Sequence, residues 1–105
     1  MATRANIKSV LEDEAHEDAG MATLPIELDA IPGAVWQAEL QSLMPEGMRV
    51  SLFEQGSRKC ALLRFPTEQR PYATQAFARA LQGANEVSQE AHQAARAAVE
   101  ALGAR

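Results

Sequence analysis

Chemically reactive side chains are scarce in this 105-residue sequence. Cys60 is the one cysteine, so no disulfide can form within the chain, and His16 and His92 are the two histidines. A glycine-rich phosphate loop, a Ser/His/Asp set and a pair of carboxylates on ordered elements are all missing. We therefore expect a protein that is not an enzyme and that binds no cofactor.

Metal ligands are equally sparse. Glu12 and His16 have the i, i+4 spacing of two ligands on one helical turn, but two ligands in a weakly ordered segment make a poor site. Cys60 falls in a predicted strand with no histidine near it in sequence, which favours a buried structural thiol over a nucleophile. We expect no bound metal.

Long apolar runs are also missing. A membrane span needs about 20 consecutive apolar residues, and no stretch of the sequence approaches that length. The first 18 residues lack the apolar stretch of a signal peptide. The sequence therefore predicts a cytoplasmic protein with no membrane contact.

Charge is unevenly distributed behind a mild net value of −4. Residues 1–30 carry seven acidic residues against two basic ones, whereas residues 48–70 carry five basic residues against two acidic ones. The first twenty residues have few large apolar groups, which predicts a flexible acidic tail over residues 1–23. An alternative is that the acidic run 12–18 shields the basic segment or imitates a polyanion.

Residues 24–105 are predicted to form a single α+β domain. Near alternation of apolar residues from Leu24 indicates an extended segment, and helical spacing predicts a helix over 34–44 that ends at Pro45-Glu46-Gly47. Two alternating runs around Gly56 predict an antiparallel hairpin over 48–65. Trp36, the only tryptophan, is expected in the core, with a partner-facing role as the alternative.

A long alanine-rich helix is predicted from near Arg70 to Gly103. Pro71 suits its first turn and Gly103 its end. Gly83 and Asn85 lower helix stability, so a break there into two helices is the alternative. A seam of apolar residues follows a heptad rhythm along the helix: Ala73, Phe77, Ala80, Ala84, Val87, Ala91, Ala94, Ala98 and Ala101.

Self-association is the second structural prediction. A two-stranded hairpin alone is marginally stable, and two hairpins joined edge to edge would give a four-stranded sheet shared by a homodimer. A continuous C-terminal helix of about 48 Å would also overhang a compact domain of about 33 Å, leaving its distal half uncovered. The sequence does not choose between the sheet edge and the helix as the dimer interface.

The functional hypothesis is a small regulatory protein that binds a larger protein, such as a transcription regulator or an enzyme, through the C-terminal helix. An amphipathic helix can bind in a groove by its apolar residues, and alanines permit close approach. The residues predicted to contact a partner are Phe77, Leu81, Val87, Ala91, Ala94, Val99 and Leu102.

The alternative hypothesis is a nucleic-acid-binding dimer that uses the basic hairpin. β-Ribbon proteins contact phosphates in this way, although an acidic chain with 5% aromatic residues is not typical of the class. The residues predicted to contact a polyanion are Arg49, Arg58, Lys59 and Arg64.

Overall fold

The computed structural model describes residues 3–103, which form an α+β fold. Five antiparallel strands make one sheet: β1 (Ile7–Val10), β2 (His16–Asp18), β3 (Met21–Leu28), β4 (Arg49–Gln55) and β5 (Arg58–Pro66). The sheet order is β1-β3-β5-β4, and β2 pairs with the same side of β3 as β1 does. Two helices, α1 (Ala34–Leu43) and α2 (Arg70–Gly103), complete the fold.

Both helices pack on one face of the sheet. Alternate residues of the two central strands point to that face and are buried: Ala22, Leu24, Ile26 and Leu28 in β3, and Ala61, Leu63 and Phe65 in β5. Trp36 and Leu40 of α1 and Phe77 of α2 meet them and are fully buried. No element within residues 3–103 forms a layer on the opposite face, which we call the outer face.

The predicted hairpin is confirmed. Gly56 has φ +62° in the two-residue loop between β4 and β5, a conformation that glycine adopts without strain. The hairpin is not alone, however, because β5 also pairs along its length with β3. The chain thus builds a five-stranded sheet by itself, and the instability argued for an isolated hairpin gives no reason for a sheet shared between two copies.

The N-terminal segment differs from the predicted flexible tail. Ala5 is fully buried, β1 pairs with Ile26–Leu28, and β2 pairs with Met21–Thr23. Edge strands are held by backbone hydrogen bonds, which do not require the large apolar side chains this segment lacks. The segment is therefore an integral part of the sheet.

Asp29 fastens the start of this segment. Its carboxylate accepts hydrogen bonds from the backbone N–H of Asn6 at 2.8 Å and from the Asn6 side chain at 3.0 Å. These two bonds, the backbone one first, hold the pKa of Asp29 below its ordinary value. The contact keeps residue 6 beside the end of β3.

Pro25 explains why one edge of the sheet is divided into β1 and β2. Its carbonyl accepts a hydrogen bond from the Leu11 N–H at 3.0 Å. The N–H and the carbonyl of one strand residue point to the same side, so proline offers no hydrogen-bond donor to the chain that contains Leu11. After Leu11 the N-terminal segment stops pairing with β3 and forms a 3-10 turn over Glu12–Glu14, which we call the acidic turn. A proline in a central strand thereby moves three carboxylates out of the edge strand.

The β2–β3 turn contains a strained residue. Ala19 has φ +52° and Gly20 has φ +80°, so both central residues of this two-residue turn occupy the left-handed region. Asn-Gly is strongly preferred in turns of this shape, whereas alanine there carries a penalty of roughly 1 kcal/mol.

Ala19→Asn is therefore expected to stabilise the protein by about 0.5–1 kcal/mol, because asparagine tolerates the left-handed conformation. Urea unfolding followed by Trp36 fluorescence measures the change. Ala19→Val serves as the opposite control, since a β-branched residue suits a positive φ least. A gain in stability with valine would contradict the assigned turn.

Helix α2 is continuous over 34 residues, with no break at Gly83. Gly83 lies against α1: a Cβ added there would be 2.7 Å from Leu43 Cδ1. The glycine that lowers helix propensity thus permits close approach of the two helices. At about 1.5 Å per residue α2 is about 51 Å long, and the molecule measures 60 × 30 × 16 Å.

Candidate functional site

The first half of α2 is part of the core. The first four residues of the heptad seam, Ala73, Phe77, Ala80 and Ala84, are all buried. Three further residues widen this buried side of the helix: Leu81, Asn85 and Ser88. The buried side is thus centred near Phe77, Leu81, Ala84 and Ser88, slightly rotated from the predicted seam.

Asn85 joins three parts of the chain inside the protein. Its Oδ1 accepts hydrogen bonds from Trp36 Nε1 and from the Ala5 N–H, both at 2.8 Å. Its Nδ2 donates to the Ala5 carbonyl, also at 2.8 Å. Asn85 is only 8% exposed, and the bonds satisfy polar groups of α1 and the N-terminal segment that would otherwise be buried without partners. Trp36 therefore belongs to the core, as predicted.

Beyond Gln89 the helix leaves the body of the protein. Every residue of 90–103, a stretch of about 21 Å that we call the distal segment, is exposed. Val99 and Leu102 keep 68% and 69% of their surfaces accessible. This part of α2 is covered by nothing within the described chain.

The uncovered apolar residues lie on the side of α2 that is buried in the first half of the helix. Successive residues of an α-helix are rotated by about 100° around its axis, so Ala95 and Leu102 lie on nearly the same side as Leu81 and Ser88. The side so defined is called the distal stripe: Ala91, His92, Ala95, Ala98, Val99 and Leu102. Gln93 lies on the opposite side of the helix.

A groove lies where the distal stripe begins. It has a volume of about 250 Å³ and is formed by the start of α1 with its preceding loop, by Thr3 and by α2. Val35, which is 53% exposed, and Ala91 and His92 line it. The apolar surface thus extends from the helix onto the domain.

The structure divides the seven residues predicted to contact a partner. Phe77 and Leu81 are buried in the core and are not available for binding. Ala91, Val99 and Leu102 belong to the distal stripe. Val87 and Ala94 are exposed and lie next to the stripe around the helix. Ala95 and Ala98 were not predicted as contacts, although their seven-residue spacing from Ser88 and Ala91 indicates the same side.

The four basic residues of the hairpin are also divided. Arg49 and Arg64 lie directly opposite each other on β4 and β5 and share the outer face. Arg58 and Lys59 lie at the other end of β5, six and five residues from Arg64. The hairpin therefore does not bring the four residues into one polyanion-binding surface.

The acidic turn neutralises part of the basic charge. Glu14 forms a salt bridge of 2.9 Å with Arg58, and Arg70 bridges Glu12 at 3.1 Å and Glu17 at 2.9 Å. The hydrogen bond to Glu14, and then its charge, raise the pKa of Arg58. Of the alternative that the acidic run shields the hairpin, the described residues show one contact, the salt bridge between Glu14 and Arg58.

The remaining reactive residues do not converge. Cys60 is buried; it lies on the outer face, where Phe53 and Glu27 are its cross-strand neighbours. Residues 3–103 contain no group of three or more His, Cys, Asp or Glu side chains arranged to hold a metal ion. Within the same residues, neither helix has the length and apolar composition required to cross a membrane.

Comparison with protein-family models, with curated proteins and with solved structures found no match to this chain.

Proposed function

We propose that the protein is a non-enzymatic regulatory protein that binds a larger protein through the distal segment of α2. The observation that carries the proposal is that the side of α2 buried in the first half continues, uncovered, as the distal stripe. The partner would be a protein with an apolar groove that accepts a helix.

The composition of the stripe suits such a groove. Val99 and Leu102 are large enough to act as anchors, and burial of each contributes about 1.5–3 kcal/mol. The alanines between them let the wall of the groove approach the helix backbone. The groove beside Val35 adds apolar surface where the distal segment begins, so a partner could contact the domain as well as the helix.

The helix is already formed before binding. Alanine is the strongest helix former, and the first half of α2 is fixed by the core, so the distal segment does not need to nucleate a helix. A preformed helix loses less conformational entropy on binding than a disordered segment does. The proposal therefore favours a rigid, projecting binding element over a peptide that folds on its partner.

A site-specific crosslink tests the proposal. A benzoylphenylalanine photocrosslinker at position 95, inside the stripe, is expected to give one defined adduct in the native host, and the same group at position 93 should give none. Val99→Asp and Leu102→Asp should each reduce the adduct by about tenfold or more, because an acid cannot be buried in the groove. Gln93→Asp, on the opposite side, is the matched control and should leave the yield unchanged.

The mass of the adduct decides between partners. An adduct larger than two copies of the chain supports the proposal, provided that the substitutions at Val99 and Leu102 reduce its yield as expected. An adduct of twice the 11.4 kDa protomer mass would replace it with the predicted homodimer. Equal yields from positions 93 and 95 would overturn the assignment of the stripe.

A further inference from the structure

Arg49 and Arg64 form an unusual pair on the outer face. They are directly opposite residues on neighbouring antiparallel strands, which places their Cα atoms about 4.5–5.5 Å apart. Like charges in this position repel each other and destabilise a sheet. The other end of the hairpin shows the usual arrangement, since Glu54 lies opposite Lys59.

No acidic side chain within residues 3–103 neutralises this pair. Among residues 3–103, Arg49 and Arg64 form no salt bridge, whereas Arg58 and Arg70 are both bridged by acids near the N-terminus. Thr23, the neighbour of Arg64 on β3, uses its hydroxyl to donate to the His16 carbonyl at 3.3 Å. Both arginines are exposed, and within the described part of the chain neither side chain has a hydrogen-bond or salt-bridge partner, so their donors are available to a ligand.

A concave surface accompanies the pair. The cavity has a volume of about 560 Å³ and is lined by the two arginines together with Met21, Gly47 and Pro66. Met21 and Pro66 are neighbours across β3 and β5 and give the cavity an apolar wall. The cavity thus combines two positive charges with a surface suited to an apolar group.

We propose that Arg49 and Arg64 bind the phosphate group of a small phosphate monoester, whose apolar substituent lies against Met21 and Pro66. A phosphate monoester carries nearly two negative charges at neutral pH and so matches two guanidinium groups, whereas a carboxylate carries one. The planar guanidinium fork suits phosphate oxygens. Binding would also relieve the repulsion between the two arginines.

Isothermal titration with phenyl phosphate tests the site directly. Arg49→Gln and Arg64→Gln are each expected to weaken binding by about tenfold or more, because each removes a charge-assisted contact. Arg79→Gln is the matched control: it removes the same charge from an exposed position on α2, and affinity should change by less than about twofold. Benzoate, which has the same ring and a single charge, should bind more weakly than phenyl phosphate.

Thermal unfolding separates loss of binding from loss of folding. Arg49→Gln and Arg64→Gln should keep or raise the midpoint, because each removes a like-charge contact. Failure of the wild-type protein to bind phenyl phosphate, or an equal loss of affinity in all three variants, would overturn the site. An oligothymidylate bound more tightly through the same two arginines would replace the small ligand with a nucleic-acid backbone.

Discussion

Asn85→Leu is expected to lower the free energy of unfolding by roughly 3–9 kcal/mol, since it leaves three buried polar groups without partners at about 1–3 kcal/mol each. These groups are Trp36 Nε1–H and the N–H and carbonyl of Ala5. Leucine has the same branching and the same number of side-chain heavy atoms as asparagine, so the substitution opens no cavity and the lost hydrogen bonds are the main cause of the effect. Urea unfolding measures it, with the single tryptophan as the probe.

The control for this substitution is Gln82→Leu, on the exposed side of the same helix, which should change stability by less than about 0.5 kcal/mol. A double-mutant cycle adds a second test. Trp36→Phe removes the indole N–H, so it should cost less in the Asn85→Leu protein than in the wild type when urea unfolding of all four proteins is followed by circular dichroism. Additive effects of the two substitutions would show that the hydrogen bond between them contributes nothing.

Deletion of residues 1–20 is expected to lower the thermal midpoint by more than about 15 °C, or to abolish cooperative folding. A loss of 1 kcal/mol lowers the midpoint of a domain this size by about 4–8 °C. The deletion removes β1 and β2, the buried Ala5 and both acids that bridge Arg70. It also exposes the backbone groups of one side of β3.

Truncation at the other end provides the comparison. Deletion of residues 96–105 removes half as many residues, and those of them that the structure describes are exposed, so the midpoint should fall by only a few degrees. Circular dichroism during heating measures both changes. A similar midpoint for the wild-type protein and the 1–20 deletion would mean that the N-terminal strands do not contribute to stability.

The hairpin could be predicted in detail because its signals are local. Gly56 marks a two-residue loop, and alternation assigns the faces of the strands on either side. That loop also sets the register: Gln55 opposite Arg58 implies Arg49 opposite Arg64. The facing arginines can therefore be predicted from the sequence, whereas charge alone groups them with Arg58 and Lys59.

The N-terminal strands could not be predicted in the same way. β1 contains two apolar residues and β2 contains none, so no hydrophobic pattern identifies either strand. Their hydrogen bonds are made by backbone groups that every sequence has, and only the position of β3 beside them decides the pairing. The pairing of β1 and β2 is therefore determined by their position beside β3 in the folded protein and not by their residue types.

The candidate binding surface was predicted in part. The heptad rhythm located an apolar side on α2, and its length indicated that the distal segment would project. Helix propensity alone marks Gly83 and Asn85 as residues that weaken the helix, whereas contacts with α1, through Leu43 and Trp36, explain both. A polar residue on the otherwise apolar side of a helix is the signal that could have identified Asn85.

Pro25 has a consequence for the addition of further strands at the edges of the sheet. An open sheet edge is a template on which another chain can add a strand. Beside β3, the acidic turn interrupts the edge and places three carboxylates there, so an incoming strand would meet no continuous ladder. The β4 edge is unbroken over seven residues and carries only Arg49 and Glu54 as charges. The two sides of the sheet are therefore unequally protected, and domain swapping or fibril growth would begin from β4.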